Sequence, residues 1–163
     1  MPKIGAYLAT PYSHEDPAVK QWRYERVTEA AALLLRSGTC IVSIYSPITH
    51  THPIDHHMRE KQNEHTFWVE KFDMPFLANS EKVIVLMLPG WDKSIRVKME
   101  VQKAKELGIP VSYAVPRYDE MFRIIDVKQV TGTPEVLPGH EPAPRMCRTS
   151  FLEVGDNPCS LLT

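Results

Sequence analysis

Cysteines are scarce in this chain of 163 residues, and the three that occur are far apart. Cys40, Cys147 and Cys159 make an odd number and form no Cys-x-x-Cys pair, which argues against a disulfide framework and against a cysteine zinc site. Reduced, unpaired cysteines are typical of the cytoplasm, so we predict a cytoplasmic protein. A free cysteine mostly behaves as a small hydrophobic residue, and we expect Cys40 to be buried in a strand.

Long hydrophobic runs and an excess of positive charge are also missing. No window of about 18 apolar residues exists, so the sequence predicts no membrane-spanning helix. The first residues lack the apolar segment of a signal peptide. The 19 lysines and arginines are balanced by 20 acidic residues, for a net charge of −1, which gives no sign of a nucleic-acid partner. With 43% hydrophobic residues, the chain has the composition of one globular domain with a real core.

Strand and helix patterns alternate along the chain. Short apolar runs predict strands at residues 4–9, 40–45, 82–88 and 109–115. Helical patterns predict helices at residues 16–37, 64–77, 94–107 and 119–127. A long loop rich in histidine is expected after Ser46. This order predicts an α/β fold: a doubly wound, flavodoxin- or Rossmann-like parallel sheet of four to five strands with helices on both faces.

The character of the sequence changes after residue 130. Five prolines fall between Pro134 and Pro158, and little periodicity accompanies them. We therefore predict an α/β domain at residues 1–130 and a proline-rich tail at residues 131–163, which is either draped over the domain or mobile.

Three polar segments follow strands and are predicted to meet at the carboxyl edge of the sheet, where open α/β sheets bind ligands. These are residues 7–13, 46–53 and 90–100. In the third segment Ser94 begins a helix, whose free N–H groups favour a phosphate. Glu100, two turns later, is expected to lean back towards the same edge. Taken alone, Ser94 fits a plain N-cap and Glu100 fits a surface residue paired with Arg96 and Lys103.

Other candidates at this edge are weaker when each is taken by itself. Tyr7 fits a core tyrosine with a satisfied hydroxyl, and Asp73 fits an exposed helical carboxylate. The His50-x-His52 pair has a spacing that suits a divalent metal, but no carboxylate or cysteine completes an obvious ligand set. We therefore predict no metal, and expect His50 or His52 to border the pocket, where either could contact substrate or carry a proton.

Together these segments resemble the nucleoside 2-deoxyribosyltransferase superfamily. Within it the chain is most similar to the uncharacterised small-protein branch and to the 2′-deoxynucleoside 5′-monophosphate N-glycosidases. The resemblance covers about residues 3–115 and rests on the order and spacing of short motifs. The motifs are Tyr7-Leu8-Ala9-Thr10-Pro11-Tyr12-Ser13, Ser46-Pro47-Ile48 with His50 and His52, residues 68–73, Gly90-Trp91-Asp92-Lys93-Ser94 with Glu100, Ala104, and Gly108-Ile109-Pro110-Val111.

The resemblance implies three catalytic residues. Glu100 matches the glutamate nucleophile on the helix after strand three. Asp73 matches the aspartate that assists the leaving base, and Tyr7 matches the tyrosine that hydrogen-bonds the nucleophile. Ser94 falls where transferases of free nucleosides carry an aspartate and nucleotide hydrolases carry a phosphate-binding serine, so the resemblance implies a 5′-monophosphate substrate.

The remaining expectations concern the substrate pocket. Ser13, Arg23 and Arg96 are expected to assist Ser94 with the phosphate. Tyr12, Ile48 and Trp68 are expected to form an apolar slot for the base. Arg96 lies in a stretch that is usually rich in glycine in the superfamily, and here it could narrow the pocket or add a phosphate contact.

The function that follows is an N-glycosidic bond hydrolase. The resemblance implies a (2′-deoxy)nucleoside 5′-monophosphate substrate, release of the free base and the (deoxy)ribose 5-phosphate through a covalent glycosyl-glutamate, no cofactor, and a homodimer or higher homo-oligomer. The alternatives are a nucleoside 2-deoxyribosyltransferase, a non-catalytic nucleotide-binding or sensing module in which Arg96 blocks catalysis, and a flavin-binding flavodoxin-like protein.

Overall fold

The computed structural model of the protein describes residues 3–37, 43–55, 57–58, 64–132 and 134. A five-stranded sheet forms its centre, in the order β2-β1-β3-β4-β5. The strands are β1 (Ala6–Ala9), β2 (Ile44–Tyr45), β3 (Val83–Leu86), β4 (Val111–Tyr118) and β5 (Ile124–Thr131). The first four strands are parallel to one another, and β5 runs antiparallel to β4. This is the flavodoxin-like strand order with an antiparallel edge strand.

Local signals in the sequence set the ends of two long helices. The helical segments are α1 (Pro17–Arg36), α2 (Pro47–Asp55), a π-helix (Glu64–Asp73), α3 (Met74–Ala78) and α4 (Ile95–Glu106). At the start of α1, Asp16 accepts the N–H of Ala18 at 2.8 Å. Beyond α4, Gly108 has a φ of 67°, and Ile109 donates its N–H to the carbonyl of Ala104 at 2.8 Å. This closure needs a left-handed residue, which glycine supplies.

Alternate residues of the strands point to opposite faces of the sheet, and each face is covered by helices. Leu8, Ile84 and Leu86 belong to one buried cluster, which also contains Val27 and Leu34 of α1 and Ile48 of α2. Tyr7, Val83 and Val85 belong to a second cluster, with Leu77 of α3 and Val97 of α4. The predicted doubly wound α/β fold is therefore confirmed.

The helix predicted at residues 119–127 is wrong, because these residues form a turn and the first half of β5. The Asp119 carboxylate accepts the N–H groups of Met121 and Arg123 at 2.9 Å each. Phe122 has a φ of 56°, which reverses the chain. The strand that follows then pairs with β4 from Tyr118↔Ile124 to Ser112↔Thr131. Long-range pairing with β4 decided the outcome here, and no local helical pattern reports such pairing.

The histidine-rich loop predicted after Ser46 is also wrong, because α2 begins there. Pro47 is its first residue, where the missing N–H and the fixed φ of proline are favourable. Ile48, Thr51 and His52 are buried on one side of the helix, at the spacing of an amphipathic face. Burial of that face outweighs Pro53, which lies inside the helix and whose side chain points away from the core.

Several predictions fall outside the described residues. These are the buried Cys40, the first part of the strand at 40–45, the remote Cys147 and Cys159, and the form of the tail beyond residue 134. Among the helices that are described, none combines the length and apolarity needed to cross a bilayer.

Candidate active site

The centre of the candidate site is a buried pair, Tyr7 and Glu100. Glu100 lies on α4 and is 1% exposed, and Tyr7 lies on β1 and is fully buried. The Tyr7 hydroxyl donates a hydrogen bond of 2.8 Å to Oε1 of Glu100. β1 and β3 are adjacent, and α4 follows β3 through a short loop, so the fold brings together two residues that are far apart in sequence. The Glu100 side chain is thus held at the carboxyl edge of the sheet.

Arg96 joins this pair to a second buried carboxylate. Asp73, the last residue of the π-helix, is 0% exposed. Nη2 of Arg96 forms an ion pair with Oδ2 of Asp73, and Nε of the same guanidinium lies 3.6 Å from Oε1 of Glu100. The Tyr45 hydroxyl, at the end of β2, donates to Oδ1 of Asp73 at 3.4 Å. Arg96 therefore contacts both carboxylates, and each carboxylate also accepts a hydrogen bond from one tyrosine hydroxyl.

The surroundings of Glu100 bring its pKa close to neutral pH. Burial raises the pKa of Glu100 to about 7, and Arg96 and the Tyr7 hydroxyl only partly oppose this rise. Oε2 of Glu100 is buried and has no hydrogen-bond partner among the described residues. Burial raises the pKa of Tyr45 to about 12, and burial and the adjacent Glu100 raise the pKa of Tyr7 well above its ordinary value. Both tyrosines therefore act as neutral donors at physiological pH.

A cavity of about 510 Å³ lies beside the cluster. Its lining residues come from the loops after β1 and β3, from α1, from the π-helix and from the start of α4: Pro11, Ser13, Arg23, Val69, Gly90, Lys93, Ser94, Ile95, Arg96 and Met99. Among the described residues, this lining has three cationic side chains, two serines and no carboxylate. The charge of the cavity favours an anionic ligand.

The cationic wall of the cavity is tied to the loops at the sheet edge. Arg23 of α1 donates to the carbonyls of Ser13 at 3.0 Å and of Pro89 at 3.4 Å. Gly90 has a φ of 88°, a left-handed conformation that favours glycine at this turn. A Cβ there would make only an ordinary contact with Nη2 of Arg23, at 3.5 Å. Partial burial lowers the pKa of Arg23 from its ordinary value, because burial destabilises the charged guanidinium. A bound anion would offset this destabilisation.

Ser94 is both the helix cap and a lining residue. Its Oγ accepts the N–H of Val97 at 3.3 Å, and its extended backbone marks it as the N-cap of α4. The N-terminus of α4, with its free N–H groups, therefore faces the cavity.

The residues predicted to hold the base lie in separate surroundings. Ile48 packs into the core cluster on the α1 side of the sheet. Trp68 packs against Phe67 and Phe72, with ring centroids 4.8 and 5.6 Å away. Tyr12 shares a hydrogen bond with Nδ1 of His52. None of these residues lines the described cavity, to which the π-helix contributes Val69.

The two histidines proposed as pocket residues have different positions. His50 is exposed beside the ring of Tyr45, at 5.8 Å between centroids. His52 is buried, and its Nε2 lies 3.1 Å from Oε1 of Gln21 on α1. His52 therefore joins α2 to α1, and both of its ring nitrogens have protein partners. In the part of the chain that the structure describes, no group of three histidine, cysteine or acidic side chains is arranged to hold a metal ion.

Sequence reasoning missed Tyr45 and Lys93. Tyr45 is the partner of Tyr7 in the β1–β2 register, so its place at the end of the second strand was the signal that could have revealed it. Lys93 directly precedes the predicted cap at Ser94, and its place in the loop after β3 carried the same signal.

The fold and the site together define a flavodoxin-like α/β domain with a buried tyrosine–carboxylate cluster at its ligand-binding edge. The chain belongs to the family described as domain of unknown function DUF1937, whose model matches residues 5–115. The matched region contains the whole cluster, from Tyr7 to Glu100, and the whole described lining of the cavity. No match to the chain was found among curated proteins.

Proposed function

We propose that the protein hydrolyses the N-glycosidic bond of a (2′-deoxy)nucleoside 5′-monophosphate, as its resemblance to the nucleoside 2-deoxyribosyltransferase superfamily implies. The products are the free base and the (deoxy)ribose 5-phosphate. The observation that carries the proposal is the 2.8 Å hydrogen bond from Tyr7 to the buried Glu100, with Asp73 in the same cluster. These are the three residues that the resemblance assigns to catalysis.

The chemistry proceeds in two displacements at C1′ of the sugar. An oxygen of ionised Glu100 attacks C1′ while the bond from C1′ to the base nitrogen breaks, and Asp73 in its protonated form donates a proton to the departing base. A covalent glycosyl-glutamate results. Water then attacks C1′, gives one proton to Asp73 and releases the Glu100 carboxylate and the sugar phosphate. Tyr7 orients Glu100 through its hydrogen bond in both steps.

The cavity supports a phosphorylated substrate rather than a free nucleoside. Arg23, Lys93 and Arg96 supply positive charge, and Ser94 presents a hydroxyl and a helix N-terminus. An aspartate in place of Ser94 would repel a phosphate dianion. Among the residues that the structure describes, no carboxylate lines the cavity, which argues against a transferase of free nucleosides.

A panel of nucleoside 5′-monophosphates tests the proposal. Purine and pyrimidine ribo- and deoxyribonucleotides, with 5-modified pyrimidines among them, are incubated with the protein, and free base is measured by chromatography. Base release that is lost in Glu100→Gln is expected. The matched control is Glu106→Gln, an exposed position two turns further along α4, which should keep the activity. Full turnover by Glu100→Gln would refute the assignment of the nucleophile.

A second candidate is a non-catalytic nucleotide-binding module, and one observation favours it. The Arg96 guanidinium contacts both carboxylates, so both are occupied in the structure. Such a module would bind a nucleotide of the same panel, as measured by calorimetry, and would release no base. The proposal also carries over from the resemblance a homodimer or larger assembly and no cofactor, and from the scarce cysteines a cytoplasmic location. Light scattering tests the assembly.

A further inference from the structure

Arg96 stands between the cavity and the two carboxylates. Its side chain lines the cavity and is 18% exposed. Asp73 and Glu100 are at most 1% exposed, and neither is a lining residue of the cavity. A molecule in the cavity therefore meets the Arg96 guanidinium before it meets Glu100. Catalysis by Glu100 requires that this guanidinium moves.

The cavity has the cationic lining needed to bind an anion, and a bound anion would draw Arg96 away from the carboxylates. Arg23 and Lys93 give the lining positive charge, and none of its described residues is a carboxylate that would balance it. The contacts of Arg96 with the carboxylates use Nη2 and Nε, so Nη1 is the nitrogen that is left for a ligand. An anion held by Arg23, Lys93 and the N-terminus of α4 would compete with Asp73 and Glu100 for the same guanidinium.

We propose that Arg96 is a latch, which covers Asp73 and Glu100 in the free protein and swings to an anion that occupies the cavity. This inference rests on the proposed function and adds a selection step to it. A substrate without an anionic group fails to draw the guanidinium away, so it does not reach the nucleophile. The latch therefore makes the phosphate a condition for reaction as well as an anchor.

Opening the latch also changes the charge balance of the cluster. The groups that face Glu100 and Asp73 are Tyr7 of β1, Tyr45 of β2 and Arg96 of α4. The tyrosines are neutral donors, so Arg96 is the cation in contact with the carboxylates among the described residues. When it leaves, two neighbouring buried carboxylates favour the uptake of one proton. A pair with one proton provides the acid and the nucleophile that glycoside cleavage needs.

Sulfate tests the latch without any turnover, because sulfate does not titrate near neutral pH. The carboxyl carbon of Glu100 is followed by NMR in protein labelled with ¹³C-glutamate, and Glu100→Gln assigns its signal. In the wild type, saturating sulfate is expected to raise the pKa of Glu100 by about one pH unit or more, since a cation leaves its side. In Arg96→Met, which has no latch, the pKa starts higher and sulfate adds a much smaller rise.

An equal rise of the Glu100 pKa in the wild type and in Arg96→Met would mean that the charge of the sulfate acts directly on Glu100. That result would overturn the latch. No rise in the wild type at saturation would overturn it too. A crystal structure of the wild type grown with sulfate gives an independent measure. Sulfate in the cavity with Arg96 turned towards it supports the proposal, whereas Arg96 still on both carboxylates, or an empty cavity, refutes it. If Arg96 moves but no nucleotide releases base, the latch is supported and the proposed function is refuted. If base is released while Arg96 does not move, the proposed function is supported and the latch is refuted.

Discussion

Glu100→Gln should make the protein more stable at neutral and alkaline pH. The folded protein holds a proton on Glu100 up to a pKa of about 7, whereas the unfolded chain releases it near the ordinary value of 4.5. Between these two values the folded state binds more protons, so the free energy of unfolding of the wild type falls as the pH rises through this window. The gap corresponds to about 3 kcal/mol, at about 1.4 kcal/mol for each pH unit. Glutamine carries no charge and avoids this loss.

Urea unfolding, followed by tryptophan fluorescence, measures the effect. The difference in unfolding free energy between Glu100→Gln and the wild type should be small at pH 4.5 and should grow to about 3 kcal/mol at pH 8. The glutamine oxygen can still accept the hydrogen bond from Tyr7, so packing is kept. Glu81→Gln, at an exposed position, is the control and should stay within about 0.5 kcal/mol of the wild type at both pH values. A wild type that is more stable than Glu100→Gln at pH 8 would refute the reasoning.

Three further predictions follow from the site and from the core. Ser94→Asp keeps a good helix cap but opposes a phosphate, so kcat/KM for nucleoside monophosphates should fall by about 100-fold while the melting temperature stays the same. Tyr7→Phe removes a donor that favours ionised Glu100, and the acidic limb of the pH profile of base release should move up by about one pH unit. Arg26→Met removes a buried guanidinium that contacts Glu29 at 2.9 Å and the carbonyl of Phe122 at 2.9 Å; the unfolding free energy should fall by about 3 kcal/mol in urea titrations.

The parts of the fold that the sequence predicted well are those with strong local signals. β3 is a run of apolar residues buried on both faces, and α1 and α4 begin at capping residues, Asp16 and Ser94. In these segments the local preference agrees with the tertiary structure. Where the two disagree, as in α2 and β5, the prediction failed, because the decisive contacts involve residues distant in sequence.

At the candidate site, too, local signals in the sequence predicted less than the contacts between separate elements required. Spacing alone predicted an exposed Glu100 in a ladder of ion pairs, and the structure buries it. Its hydrogen bond with Tyr7 joins two separate elements, and no periodicity in the sequence reports such a contact. The resemblance to a known superfamily supplied that pairing. Helical spacing predicted the pairing of Arg96 with Glu100. The contact of Arg96 with Asp73 was not predicted, because it depends on how the π-helix packs against α4.

Ser94 and Glu100 lie on one helix, and this fixes a distance. Six residues of α-helix span about 9 Å along its axis, and the backward lean of helical side chains shortens the separation between the hydroxyl and the carboxylate. A rigid helix cannot stretch or shrink to suit its ligand. For the proposed substrate, α4 thus serves as a gauge of molecular length. A single phosphate esterified to the 5′-oxygen brings C1′ to Glu100, whereas an added phosphate or a longer tether would put the sugar out of register.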